Sequence, residues 1–237
     1  MKKPINDFSY ASSELDAVAY ATNYYDWILD SFAPFLGRRI IEAGAGIGTV
    51  SEMILSRADP RALLLVEPAA NNAAILDTRF RADSRVRVVH GYLEEIEHSW
   101  KADTIVAVNV MEHIRDDGEF LRAAHSLLEP DGSLLLLVPA VPAIYGSLDR
   151  AFEHYRRYTR RGLTALLEEH RFKIAQIRYM NALGVLAWMV SGKILRRKTL
   201  GRRQVQLYDR AIIPLLRRVE SIIRPPIGQS LLVVARK

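Results

Sequence analysis

From residue 38 onward, short apolar runs alternate with segments whose apolar residues recur every three or four positions. The runs Arg38–Ala43, Ala62–Val66, Val86–His90, Thr104–Val110 and Ser133–Val138 read as strands. Ile47–Arg57, Ala69–Phe80 and Asp116–Leu128 lie between them with the spacing of amphipathic helices. The second and fifth runs are almost continuous Leu and Val instead of alternating with polar residues. Strands covered on both faces read this way, so the pattern predicts a doubly wound α/β domain with a mostly parallel sheet. Pro130 and the Asp131-Gly132 pair predict a turn before the fifth strand. Leu163–His170 reads as a short amphipathic helix, Phe172–Met180 as a further strand, and the closing LLVVARK as a terminal strand.

Two segments flank this alternation. Residues 1–37 carry Tyr10, Tyr20, Tyr24, Tyr25, Trp27, Ile28, Phe32 and Phe35, with helical spacing from Leu15 to Leu36 and Pro34 and Gly37 closing it. They read as a helix packed on the sheet edge, or as a lid whose Asn23 and Tyr24 reach a ligand. Residues 181–229 interrupt what is usually a short connection between the last two strands. An apolar patch (Leu183–Val190) leads into a basic run (Lys193 to Arg203), then an amphipathic helix over Val205–Ile223, before Pro225-Pro226 and Gly228 break the chain. The expected organisation is a helical lid over 1–37, an α/β core over 38–180, a helical insertion over 181–229 and a core strand over 230–237.

Charge and composition narrow the picture. The net charge is +6 over 237 residues, but residues 150–237 hold 20 Lys/Arg against 5 Asp/Glu, leaving residues 1–149 at −9. Such asymmetry fits either solvated arginines or a basic face toward an anionic partner. Apolar residues beside a basic cluster are what an interfacial membrane helix needs, and a cap over a substrate or a homodimer contact uses the same residues. There is no cysteine, which excludes disulfides, thiolate metal sites and cysteine nucleophiles, and no resident metal is expected. Met1-Lys2-Lys3 precedes polar sequence, and no run of about 18 apolar residues exists. A cytoplasmic location follows, peripheral at the inner membrane surface if 183–203 docks there.

The chemistry starts at Arg38–Val50, RRIIEAGAGIGTV. A strand meets Glu42, then Gly44, Gly46 and Gly48 at alternate positions, then a helix. This is a tight turn able to approach a nucleoside ligand at the carboxyl end of a first strand. A dinucleotide fingerprint places its third glycine at the position Thr49 occupies, and a Walker loop needs a Gly-Lys-Ser/Thr that is absent. Glu67 closes the second strand, where a carboxylate can accept from both ribose hydroxyls. Glu42 can receive a cationic amino group, directly or through water.

Four blocks together resemble the class I S-adenosylmethionine-dependent methyltransferases: Glu42–Gly48, Leu65-Val-Glu-Pro68, Asn109-Val-Met-Glu-His-Ile114, and Leu127–Ser133. The resemblance covers about residues 36–180. It implies the Rossmann-like methyltransferase fold, seven-stranded with an antiparallel last strand, and S-adenosyl-L-methionine as cofactor, with S-adenosyl-L-homocysteine as product. It also implies that Gly44, Gly46 and Gly48 face the methionyl part, that Glu67 and Pro68 hold the ribose, and that Asn109 and Val110 pass the sulfonium. Where the family commonly has an acid for the adenine amino group, this chain has Tyr92. Adenine is then expected on the Leu93 backbone, or on Glu94. Glu112-His113 commonly belongs to a structural turn there, with His113 touching substrate as the alternative.

After the fifth strand come Tyr145-Gly-x-x-Asp149 and His154-x-Arg-Arg-Tyr158, similar to a subset of small bacterial-type methyltransferases. One reading is a basic surface turn packed by its tyrosines. The other turns Tyr145, Asp149, His154 and Arg157 toward the methyl acceptor, with Tyr158 beside them, His154 as the base and Asp149 orienting it. The expected function is O-methylation of a small-molecule or sugar/lipid-linked acceptor, with the arginines suited to an anionic one. The alternatives are an RNA or protein methyltransferase using the basic third, and a non-catalytic cofactor module that docks to a membrane or partner. No Asp/Asn-Pro-Pro-aromatic sequence follows strand four, so nucleic acid is not the expected partner.

Overall fold

A computed structural model describes residues 20–237. Its centre is a seven-stranded sheet in the order β3-β2-β1-β4-β5-β7-β6. The strands are β1 (Arg39–Ala43), β2 (Ala62–Glu67), β3 (Val86–His90), β4 (Ala102–Val108), β5 (Leu128–Pro139), β6 (Lys173–Met180) and β7 (Ser230–Arg236). β7 runs antiparallel to both neighbours, and the pairs among β1 to β5 are parallel. The doubly wound expectation holds.

Neighbouring residues on one strand feed opposite faces. Ile41, Leu64, Leu134 and Leu136 pack under α4 (Asp117–Leu127) and α6 (Arg160–Glu169) through Phe120, Leu121, Leu163 and Leu167. Ile40, Leu63, Leu65, Leu135 and Leu137 pack on the other face with Ile28 and Phe32 of α1 (Thr22–Phe32), Ile54 of α2 (Thr49–Ala58) and Leu76 of α3 (Ala70–Phe80). This double coverage is why those strands lack a polar alternation.

Three boundaries differ from the sequence reading. The fifth strand begins at Leu128, and the expected turn is a bulge inside it: Ala102 pairs with Leu128 and Thr104 with Ser133, so residues 129–132 stand opposite Asp103. Asp131 takes a left-handed φ of 63° to make that detour. The expected helix over Val205–Ile223 is two helices, α8 (Arg202–Ala211) and α9 (Ile213–Ile222), broken just before Pro214, whose ring and missing N–H cannot continue a helix from within. The first helix of the described residues starts at Thr22; Tyr10 and Leu15 lie outside the described residues.

The insertion opens with α7 (Ala182–Trp188), which runs on as a π-helical stretch over Met189–Ile194. Glu220 on α9 accepts from the backbone N–H groups of Asn181 and Ala182, and Tyr208 on α8 donates to the Asn181 side chain at 2.6 Å. Asp209, 2% exposed, takes the Asn23 and Tyr24 amides at the start of α1. A carboxylate there offsets the partial positive charge of the helix N-terminus. The insertion is thereby tied to α1, which packs as a core helix with Ile28, Leu29 and Phe32 fully buried. No described helix is long and apolar enough to cross a membrane.

Candidate active site

A cavity of about 560 Å³ lies at the carboxyl ends of β1, β4 and β5, within the ~300–1,000 Å³ range of small-molecule sites. Its floor is the glycine turn after β1, with Glu42, Gly44 and Gly46. One side is Tyr24; the far end is Asn109, Glu112, His113, His154 and Arg157. Residues 184–205 of the insertion, including Trp188 and Leu195, roof it.

The turn needs its glycines. Gly44, Gly46 and Gly48 have φ of 70°, 56° and 89°. A Cβ on Gly44 would stand 2.6 Å from the Val110 side chain, and one on Gly48 would stand 2.7 Å from the Phe80 ring. Gly48 starts α2 and is packed against α3, away from the cavity. Asn109 ends β4 with a left-handed φ of 55°, a conformation asparagine tolerates, which aims the following turn, Met111–His113, into the cavity.

Burial governs the carboxylates. Glu42, 3% exposed, is pushed up to about 8 by burial, although the Ser51 hydroxyl donates to it at 2.6 Å. Glu67, 5% exposed, is raised by burial and countered by the amides of Gly46 (2.8 Å) and Ala69 (2.9 Å). Glu67 and Pro68, expected at the ribose, stand beside the cavity at the end of β2. Both Glu67 oxygens are taken up by backbone donors, and neither residue lines the cavity. Oε1 also accepts from Asn72 Nδ2 at 3.5 Å, so Oε2, bound by Gly46 alone, keeps a second acceptor direction for a ribose hydroxyl. Leu93 is buried in the core at 3% exposure, and neither it nor Tyr92 lines the cavity.

The acceptor end is organised around Asp149 on the short helix α5 (Ser147–Ala151). Fully buried, it accepts from Arg157 Nε (2.6 Å), His154 Nδ1 (3.1 Å), Trp188 Nε1 (2.9 Å) and the Gly146 amide (2.8 Å). Burial alone would raise this carboxyl, but those donors outweigh it and hold it at about 2. His154 is stacked parallel to Trp188, and the Arg157 guanidinium lies 4.8 Å from the Trp188 ring centroid. Glu112, 1% exposed, is pushed up to about 8, mainly by burial, and His113 is pulled down to about 3 by burial and by His154.

Of the residues expected at the acceptor, His113, His154 and Arg157 line the cavity, and Asp149 sits directly behind them. Tyr145 and Tyr158 do not. Tyr145 donates to the His154 carbonyl at 2.7 Å and Tyr158 to Asp117 at 3.2 Å, so each braces the loop instead of facing an acceptor. Arg157 is held by Asp149 and by the Ala140 carbonyl, so the clamp expected of it is reduced to Nη2, which has no partner among the described residues. Asn23 is bound to Asp209, and Tyr24 alone of that pair reaches the cavity, its hydroxyl 2.9 Å from Ser230 Oγ. Sequence reasoning missed Glu112 and Trp188 as site residues. The only signal for Trp188 was a lone indole in an apolar patch next to a basic run.

Known proteins share the family and the fold. Residues 18–177, more than half of the chain, match the family model described as methyltransferase domain. The ubiquinone biosynthesis O-methyltransferase of Azorhizobium caulinodans is 31% identical over 108 residues, 45% of this chain and 42% of that one. That of Xanthomonas euvesicatoria is 32% identical over 103 residues, 42% of each. The match thus spans less than half the length of these relatives. Among solved structures, a methyltransferase from Mesorhizobium loti superposes with a TM-score of 0.61 at 15% identity, over 88% of this chain and 95% of that one. The geranyl diphosphate C-methyltransferase of Streptomyces coelicolor, bound to Mg²⁺, geranyl diphosphate and S-adenosyl-L-homocysteine, gives 0.64 at 14% identity, over 90% and 76%. At such identities these neighbours share the fold alone. With the glycine turn, the sheet order and the matched family model in agreement, the chain belongs to the class I S-adenosylmethionine-dependent methyltransferases.

Proposed function

We propose that the chain moves the methyl group of S-adenosyl-L-methionine to a hydroxyl of a small-molecule or sugar/lipid-linked acceptor. One observation carries this reading: His154, held from behind by Asp149, stands on the wall of the same cavity whose floor is the glycine turn. The cofactor supplies the reactive sulfonium. Gly44 and Gly46 take its methionyl part, Glu42 its amino group, Glu67 its ribose, and Asn109 with Val110 and Tyr24 the sulfonium side.

The protein's share is alignment and exclusion of water, which contributes several kcal/mol to rate. Asp149 fixes the His154 ring through Nδ1, so Nε2 is the nitrogen that takes up the acceptor proton as the oxygen attacks. The curated relatives are named as O-methyltransferases, which supports oxygen as the methylated atom. His154→Ala should lower kcat at least tenfold, about 1.4 kcal/mol, while leaving the Kd for S-adenosyl-L-homocysteine unchanged by calorimetry. Full turnover in that variant would remove His154 from the chemistry.

A lipid-linked acceptor is favoured by where the exposed apolar residues lie. Leu183, Leu186, Val190, Ile194 and Leu195 are each more than 40% exposed beside the basic run 193–203, and Val190 and Leu195 also line the cavity. Segment 183–203 then rests on an anionic membrane surface with the cavity mouth facing it; a homodimer contact is the competing use of the same face. The chain should co-sediment with phosphatidylglycerol vesicles and release at raised salt. Leu186→Glu with Ile194→Glu should abolish this, and a dimer by light scattering that the same variant dissociates would assign the face to self-association instead.

A further inference from the structure

The acceptor end of the cavity contains a donor set that proton transfer to His154 does not account for. Glu112 and His113 come from the turn after β4, and His154 comes from the loop after α5; their ligating atoms all lie within 4.8 Å of one another. The two loops are fastened together by the Tyr155 amide, which donates to the Glu112 carbonyl at 2.7 Å. Glu112 is the telling member. It is 1% exposed and lines the cavity, and neither of its carboxylate oxygens has a hydrogen-bond partner among the described residues. A buried polar group left in that state is costly, and its presence calls for a ligand.

His154 supplies the second sign. Its Nδ1 is given to Asp149, which in turn is fixed by Arg157, Trp188 and Gly146. Imidazoles that ligate a metal through one nitrogen hand the other to a carboxylate or carbonyl in this way.

We propose that Glu112, His113 and His154 bind a divalent first-row transition-metal ion at the acceptor end of the cavity. Two imidazoles and one carboxylate select zinc, cobalt, nickel or ferrous iron over magnesium and calcium, which prefer all-oxygen sites. Bonds of about 2.0–2.2 Å require the three donors to close by roughly one ångström. No other described residue hydrogen-bonds the Glu112 carboxylate, so a side-chain rotation can make that movement. Three protein ligands leave coordination positions open, and these face the cavity.

Binding of the ion is independent of any reaction, but its use rests on the methyl-transfer reading above. In the loaded protein His154 is a ligand, and activation of the acceptor hydroxyl passes from the imidazole to the ion. The hydroxyl releases its proton to solvent on coordination. Its oxygen pair then forms the O–CH₃ bond, while the S–CH₃ bond breaks with its electrons retained on sulfur.

The test uses the full chain, stripped with EDTA and dialysed, titrated with Co²⁺ by absorption spectroscopy and with Zn²⁺ by calorimetry. One ion per chain is expected, with visible cobalt bands. Glu112→Gln and His154→Gln should each weaken binding by about 100-fold or more. The exposed-histidine control His98→Gln should leave it unchanged. Circular dichroism melts establish that each variant is folded, and His113→Gln serves if either is not. Absence of stoichiometric binding, or binding indifferent to folded variants at 112, 113 and 154, overturns the site. Undiminished methyl transfer by the stripped protein removes the ion from the reaction and leaves the His154–Asp149 base standing, whereas loaded and stripped proteins both inert on every acceptor count against the transfer reading alone.

Discussion

Asp149→Ala is expected to cost about 3–5 kcal/mol of stability, the range found when one partner of a buried charged pair is removed. Asp149 is fully buried and accepts from four donors, so truncation leaves Arg157 as an uncompensated cation with 0% side-chain exposure. It also strands the Trp188 N–H and the Gly146 amide. Because Trp188 belongs to the insertion and His154 to the loop after α5, the same change loosens the cavity roof and frees the imidazole. Urea unfolding measures the loss. Asp149→Asn should retain part of it, since one amide oxygen still accepts from Arg157 while the amide NH₂ opposes the Trp188 or Gly146 donor. The pH dependence carries a sign. The folded carboxyl sits at about 2 against an ordinary 3.8, so its contribution is present above pH ~4 and is lost as pH falls toward 2. The gap between wild type and Asp149→Ala should narrow over that window. A loss under about 1 kcal/mol at pH 7 would show that Asp149 does not hold these elements together.

The sheet was legible because its residues are local witnesses to their own burial. Leu63, Leu64 and Leu65 say by their continuity that both faces of β2 are covered, and Asp116 and Gly37 punctuate the elements. The glycine turn was equally readable, since three positive φ angles in five residues demand glycine wherever they fall. The acceptor end was only partly so. His154 and Asp149 lie five residues apart and were paired from sequence, but Trp188 reaches Asp149 from 39 residues away and Asp209 caps α1 from 186 away. Contacts that distant leave no periodicity. Glu112 looked like part of a structural turn because its neighbours are; only its lack of hydrogen-bond partners distinguishes it. The break before Pro214 was in principle visible, and the apolar spacing on both sides of it obscured it.

Glu67→Ala should raise the Kd for S-adenosyl-L-homocysteine about 100-fold, close to 2.7 kcal/mol, from two sources. One is the charge-assisted hydrogen bond to a ribose hydroxyl, worth about 1.5–3 kcal/mol. The other is the turn itself: Glu67 links the Gly46 amide at 2.8 Å to the Ala69 amide at 2.9 Å, pinning the glycine turn to the end of β2. Without it those two N–H groups lose their acceptor, and the turn must be ordered by the ligand at the ligand's expense. The two sources separate experimentally. Glu67→Gln keeps an oxygen for one of the amides but turns its NH₂ toward the other, so it disturbs the turn while retaining hydrogen-bonding capacity toward ribose. It should fall between wild type and alanine in calorimetric affinity. The melting temperature without ligand should drop in both variants, because the turn is pinned before any ligand arrives. An alanine variant with unchanged affinity would remove the ribose role. Unchanged affinity together with a lowered melting temperature would leave Glu67 as a brace for the turn and place ribose recognition on other groups at the carboxyl ends of β2 and β3.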